Sequence, residues 1–249
     1  MRSRETDQLL RPYFSCVYAA GCDNLREVYG TEAASENLPV EVVKVSSEAP
    51  EDQVIRYAAG FIKRGEIVSI PTDTVYGLSA DPFNLSAVER LFQVKGRPET
   101  RALPILVSSI EQAATLMRDI PDSFLTLANK FWPGALTLVV AATSRVPLKV
   151  TGNTGRVAVR WPDSRIASAL IEAAGGPITG TSANISGRPS CTNATELALQ
   201  LGDRLSLILD GGDTGGTLSS TIVRVEDDGS WSIIREGAIP VSEIDKVLS

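Results

Sequence analysis

Lys95 and Arg97 flank Gly96, with Pro98 behind them and a third cation at Arg101. The chain then runs into Leu103-Pro104-Ile105-Leu106-Val107, which reads as a buried strand. A cation in the last turn of a helix complements the macrodipole, worth about 0.3–1 kcal/mol. That accounts for Lys95 but not for Arg97, which falls beyond the glycine in a loop the proline stiffens. Charge held rigidly at the edge of a core suits a phosphate group.

Other loops repeat the pattern. "PTDTVYGLSADP" (71–82) follows a buried run and offers Thr72, Asp73, Thr74 and Tyr76 at a strand end, where open α/β sheets place ligands. "GTSANISGRPS" (180–190) supplies Ser182, Asn184, Ser186, Arg188 and Ser190 in a Gly/Pro-shaped turn. Hydroxyls, amides and backbone N–H groups together make a cradle for phosphate oxygens. "VAVRWP" sets Arg160 at one strand end and "SIIREGAI" sets Arg235 at another. Each arginine alone reads as a surface or ion-paired residue. Four such strand-end loops together read as a cleft that takes anions.

Composition removes several alternatives. The chain has no histidine among 249 residues, which excludes Ser-His-Asp triads, histidine-based zinc sites and histidine acid/base chemistry. It has neither G-x-x-x-x-G-K-[ST] nor G-x-G-x-x-G. "GTSAN" begins like a nucleophile elbow, but Asn184 replaces the final glycine. The formal net charge of −6 argues against a protein that coats nucleic acid over its whole surface. No apolar run reaches the length of a membrane span, and three scattered cysteines suit a reducing cytoplasm.

The elements that must position these loops follow from periodicity. Residues 50–65 predict a helix with Val54, Ala58 and Ile62 on one stripe, Ile55 beside it and Gly65 as its stop. Residues 86–96 predict a second helix, with a capping box of Ser86 and Glu89 and Gly96 past its end. Strands are expected at 66–70, 103–107, 136–141, 156–161, 177–181, 205–209, 220–225 and 231–235. Helices are expected at 110–117, 122–131, 163–174, 194–200 and 241–248. This interleaving predicts an α/β fold, a single domain over 45–249 with a large twisted mixed sheet flanked by helices. Residues 1–44 lack this regularity and read as an N-terminal extension of unassigned role.

"PTDTVYGL", "KGRP", "VAVRWP", "TSANISGRPS", "SSTIVRV" and "IIREGAI" occur in one order over roughly residues 45–240. In that order and spacing the chain resembles the short, single-domain form of the YrdC-like threonylcarbamoyl-AMP synthase family. The resemblance implies a YrdC-like domain with an open concave cleft. It implies an L-threonylcarbamoyladenylate synthase, a nucleotidyltransferase that uses L-threonine, bicarbonate or CO2, and ATP. The products are threonylcarbamoyl-AMP and pyrophosphate, for t6A at position 37 of tRNA. Mg2+ is expected with the ATP, and no protein-bound metal site. By resemblance the catalytic tetrad is Lys95, Arg97, Ser182 and Asn184. Lys95, Arg97, Ser182, Ser190 and Arg235 would hold ATP, while Thr74, Arg160 and Ser220 would receive threonine. The resemblance also implies Arg156 and Tyr76 on the wall of the cleft. The tRNA is expected to be reached through the t6A transfer machinery, with direct RNA binding weak, no membrane contact and a cytoplasmic location.

Some family members carry a histidine just after the KGRP strand, and this chain has none. The alternative reading is a paralogue that binds RNA or a nucleotide without synthase activity. Hydrogenase-maturation carbamoyltransferases share the fold, but this chain has no room for their acylphosphatase and zinc-finger modules.

Overall fold

The computed structural model describes residues 40–216 and 218–248, so the greater part of the N-terminal extension lies outside the described residues. The expected α/β class holds, and the mixed sheet is divided into two. One has five strands: β1 (Glu41–Lys44), β2 (Val68–Ile70), β3 (Gly77–Ser79), β8 (Thr181–Ser182) and β9 (Leu207–Asp210), in the order β1-β9-β2-β3-β8. The other has six: β4 (Ile105–Leu106), β5 (Leu136–Ala141), β6 (Arg156–Arg160), β7 (Ile178–Thr179), β10 (Thr221–Val225) and β11 (Trp231–Arg235). Its order is β11-β10-β5-β6-β4-β7.

Both sheets are mixed. β9 runs parallel to β1 and β2, whereas β3 is antiparallel to β2 and β8. In the second sheet β10 is parallel to β5 and β4 to β6, while β5 and β6 are antiparallel. Glu41–Lys44 pairs in register with Leu207–Asp210, so residues before 45 contribute a sheet strand.

The strand β9 explains why the core is double-sided. Alternate side chains point to opposite faces. Leu207 and Leu209 pack with α1 (Asp52–Lys63) and α5 (Arg165–Ala174), among Ile55, Ala58, Ile62, Leu170 and Ile171. Ile208 points into the larger core with Leu91 of α2 (Leu85–Lys95) and Leu197 of α6 (Ala194–Leu201). That core also takes Ala113 of α3 (Ile110–Ala114), Phe124 of α4 (Asp122–Phe131) and Ile244 of α7 (Val241–Leu248). In α1 the buried stripe is Ile55, Ala58, Ala59 and Ile62, which takes in the expected Ile55, Ala58 and Ile62 and leaves Val54 only partly covered.

The expected capping box on α2 is not formed. The helix starts at Leu85, and Asn84 Oδ1 accepts from the N–H groups of Ser86 (3.1 Å) and Ala87 (3.2 Å). Glu89 instead pairs with Lys149 at 2.7 Å. The far end matches expectation: Gly96 has φ 55°, its N–H donates to Gln93 O, and the N–H of Arg97 returns to Phe92 O. That left-handed cap suits glycine and turns the chain sharply after Lys95.

Gly180 joins the two sheets, standing between β7 and β8. A Cβ there would sit 2.3 Å from Leu106 Cγ, and Leu106 is buried. Gly180→Ala is therefore expected to cost about 1–3 kcal/mol in overpacking. In a Leu106→Ala background the same substitution should cost almost nothing further, a coupling that urea denaturation of the four variants measures.

Candidate anion-binding site

The site begins where α2 ends. Gly96 sends Arg97 away from the helix axis while leaving Lys95, only 2% exposed, pointing into the protein. Lys95 Nζ donates to Ser182 O, to Asn184 O (3.0 Å) and to Asn184 Oδ1 (3.2 Å). The three protons of an ammonium thus each have an oxygen. Burial, and then the charge of Arg97, push the Lys95 pKa down to about 7. Lys95 is the pin that holds the Ser182–Asn184 turn onto α2.

That turn is cross-braced. Ser182 Oγ donates to Asn184 Oδ1 at 2.6 Å, and Asn184 Nδ2 donates to Ile185 O and Arg188 O at 2.9 and 2.7 Å. Gln200 Oε1 accepts from Ile185 N–H at 2.7 Å, and its Nε2 reaches Cys191 Sγ at 3.6 Å. Ser190, partly exposed, sits immediately before Cys191 on the same turn. Burial pushes the Cys191 thiol up to about 11, which makes it an inert packing group.

Arg97 donates from Nη1 to Thr181 Oγ1 (3.2 Å) and from Nη2 to Ala102 O (2.8 Å). Its Nε is buried with no partner among the described residues, while Nη1 and Nη2 each keep one N–H beyond these bonds. Burial lowers its pKa, and so do the neighbouring charges of Arg101 and Arg235. Arg235 is lowered in turn by burial and by Arg160, and its Nη2 donates to Ser220 O at 2.7 Å. Lys95, Arg97, Arg101, Arg235 and Arg160 therefore form one chain of mutually repelling cations.

Arg160 closes that chain. Its side chain, 8% exposed, donates to Gly134 O (2.9 Å), Thr74 Oγ1 (3.0 Å) and Asp73 Oδ1 (2.6 Å). Burial lowers its pKa and Asp73 opposes that shift. Thr74 is held by Thr72, whose Oγ1 is 3.1 Å from Thr74 Oγ1 and donates to Val75 O at 2.7 Å. Ser220 Oγ lies 2.7 Å from Thr137 Oγ1, both buried.

Hydrogen bonds join Lys95 with Ser182 and Asn184, Arg160 with Thr74, and Arg235 with Ser220, and these groups are linked to one another and to Arg97 by charge repulsion. Two expectations are corrected. Arg156 starts β6 and so lies about 13 Å from Arg160 at the opposite strand end, paired with Glu226. Tyr76 does not present its phenol to the cleft: it is fully buried and donates to Gly212 O at 2.8 Å. It ties the loop after β2 to the glycine-rich segment before β10, which Thr214 Oγ1 also joins through Thr74 O at 3.1 Å. Asp73 and Arg101 were visible as polar groups of the strand-end loops without a specific partner, whereas Thr137 and Gln200 carried no local signal.

A hollow of about 380 Å³ bounded by Pro50, Pro133, Trp161 and Pro162 contains none of these cations. The anion site is built from strand-end loops and is separate from it. Among the described residues no group of three or more His, Cys, Asp or Glu side chains is placed to hold a metal ion.

Residues 60–237 match the Sua5/YciO/YrdC family, described as "Telomere recombination". The chain is 43% identical over 203 residues to the threonylcarbamoyl-AMP synthase of Pyrococcus abyssi, covering 81% of this chain and 59% of that protein. It is 38% identical over 208 residues to the Bacillus subtilis protein of the same name, covering 83% and 60%. The crystal structure of Pyrococcus abyssi Sua5 complexed with L-threonine superposes with a TM-score of 0.79 at 42% identity, covering 83% of this chain and 60% of that one. The chain thus spans about 60% of the length of these relatives. On the strength of the matched span and these identities, the chain belongs to the Sua5/YciO/YrdC family.

Proposed function

We propose that this chain is an L-threonylcarbamoyladenylate synthase, a nucleotidyltransferase that joins L-threonine, bicarbonate or CO2, and ATP into threonylcarbamoyl-AMP and pyrophosphate. The observation that carries the reading is the row of mutually repelling cations, which a polyphosphate would relieve, with one further N–H on each of Arg97 Nη1 and Nη2 still to engage. Relatives named for this activity, one of them crystallised with L-threonine, point the same way.

The chemistry suits a site without histidine. The amine of threonine, once deprotonated, forms an N–C bond to CO2 and becomes a carbamate. A carbamate oxygen then attacks the α-phosphorus of ATP, and the bond to the bridging oxygen of pyrophosphate breaks. The nucleophile is already an anion, so alignment and charge neutralisation do most of the work. In this reading Arg97 receives phosphate oxygens and the charge that grows on the leaving pyrophosphate. Ser182, Asn184 and Ser190 shape the turn that receives the nucleotide, Lys95 fixes that turn, and Arg235 covers the ATP. Arg160, Thr74 and Ser220 receive threonine. The donor set is cationic and hydroxylic, so Mg2+ arrives on the phosphates of the substrate and not in a protein cage.

We assign the activity to the domain spanning 45–249 together with the strand β1. Its product is destined for the t6A modification of tRNA through a separate transfer machinery, in a cytoplasm. Among the described residues no helix is long and apolar enough to cross a membrane. Pyrophosphate release from ATP is expected to depend on both L-threonine and bicarbonate. Release that ignores threonine, with ATP or RNA still bound, would replace this reading with that of a binding paralogue.

A further inference from the structure

Asp73 is out of place in a site that gathers anions. It stands on the loop after β2, its side chain 16% exposed, and among the described residues it is the only carboxylate paired with any of Lys95, Arg97, Arg101, Arg160 or Arg235. Asp210 and Asp213 act on the Tyr76 phenol, away from these pairings. A carboxylate here weakens the field that a polyphosphate needs. An explanation confined to bracing Arg160 is incomplete, because Gly134 O and Thr74 Oγ1 already fix two other edges of the guanidinium.

The unused valences give the other half of the argument. Arg160 has five N–H groups, of which three are engaged, so two remain for a ligand carboxylate. Asp73 engages Oδ1 alone, and Oδ2 has no partner among the described residues. Oδ2 is not buried away from solvent as an orphan, so it faces space that a ligand or water fills. One group that binds carboxylate and one that binds ammonium therefore stand side by side, joined at 2.6 Å. An α-amino acid carries the same two charges on adjacent atoms.

We infer that Asp73 and Arg160 form a zwitterion clamp in which Asp73 Oδ2 accepts from the α-ammonium of the amino-acid substrate while Arg160 holds its carboxylate. The inference rests on the proposed function and deepens it. Four charges then alternate in sign around a ring, so neither member of the buried protein pair loses its compensation when substrate enters. The clamp selects α-amino acids over hydroxy acids and aligns the amine before it loses its proton. Asp73 is in this sense a specificity-determining residue, distinct from the cations that face ATP.

The test is calorimetric titration of the full chain with two probes, L-threonine and the 2,3-dihydroxy acid in which a hydroxyl replaces the amine. Asp73→Asn keeps an oxygen for Arg160 but removes the charge. It is expected to weaken L-threonine about 10- to 100-fold, the range for losing a charge-assisted hydrogen bond, and to leave the hydroxy acid nearly unchanged. Asp73→Glu, which restores the charge, is expected to recover much of the threonine affinity, and it serves equally if the Asn variant folds poorly. Equal weakening of both probes would reduce Asp73 to a brace for Arg160 and overturn the inference alone, as would unchanged binding of threonine. A wild-type chain that binds no L-threonine would overturn the inference and the functional reading together.

Discussion

Arg97→Ala is expected to lower the rate of pyrophosphate release about 10²–10³-fold, the loss found when one preorganised donor to a developing oxyanion is removed. Arg97 is anchored at Nη1 by Thr181 and at Nη2 by Ala102, so its guanidinium is already positioned. One N–H on each of Nη1 and Nη2 remains beyond those anchors. A donor already fixed in place contributes most when charge grows opposite it, which makes kcat the sensitive parameter. Stability should move the other way. Alanine removes a cation lowered by burial and by two neighbouring arginines, so the variant should be no less stable than the parent in thermal melts. Lost activity with a lower Tm would mean that Arg97 is structural. Retained activity would remove it from the reaction.

Lys95→Met should fail differently. Methionine matches the length of the lysine stem but withdraws the ammonium donor from Ser182 O and Asn184 O, while Asn184 Oδ1 keeps the Ser182 hydroxyl. Each buried acceptor so abandoned costs about 1–3 kcal/mol, offset in part because no ammonium need be desolvated. A net loss of about 2–4 kcal/mol in urea denaturation is expected, together with weaker ATP binding as the turn loosens. The pH dependence separates the lysine from a neutral pin. Its pKa falls from 10.5 to about 7 on folding, so between those values the unfolded chain holds a proton that the folded chain does not. Wild-type stability should then rise as pH increases from 7 towards 10.5, and this rise should be absent in the Met variant.

An anion beside Arg97 cancels the repulsion that Arg97 exerts on Lys95, so its binding at pH 8 should draw a proton onto the lysine. Calorimetry of pyrophosphate in buffers of different ionisation enthalpy measures that uptake. No uptake in the wild type would show that the charge of Lys95 is not coupled to the ligand.

The two variants also mark how far the site was legible in the sequence. The K-G-R spacing announced a helix end with charge on both sides of the glycine, because helix termination is local chemistry: Gly96 adopts φ 55° within the same turn. It did not announce that Lys95 and Arg97 have different tasks. Lys95 reaches Ser182 and Asn184 across 87 and 89 positions, and only the placement of β8 against β3 brings that turn to the end of α2. Asp73 was visible as a polar residue in "PTDTVYGL", but its partner Arg160 lies 87 residues on. Arg156 was expected on the wall of the cleft that Arg160 lines, and the two stand at opposite ends of the same short strand. Strand direction separates them: one end of β6 meets the loop after β2, while the other meets Glu226.

Local residue patterns set the class of elements, most of their positions and the chemical character of the site. Helices at 122–131 and 241–248 and strands at 136–141 and 231–235 stand where their apolar periods put them. The absence of histidine and the motif order limited the chemistry to anions met by fixed cations, hydroxyls and amides. The tertiary structure alone decided that the sheet divides at Gly180, that Glu41–Lys44 joins it, and which polar groups face one another. The reason is range. Side-chain period, caps and turns are settled by neighbours a few residues away. Strand order and register are settled by packing between segments far apart, and a one-residue change of register turns every side chain of a strand to its other face.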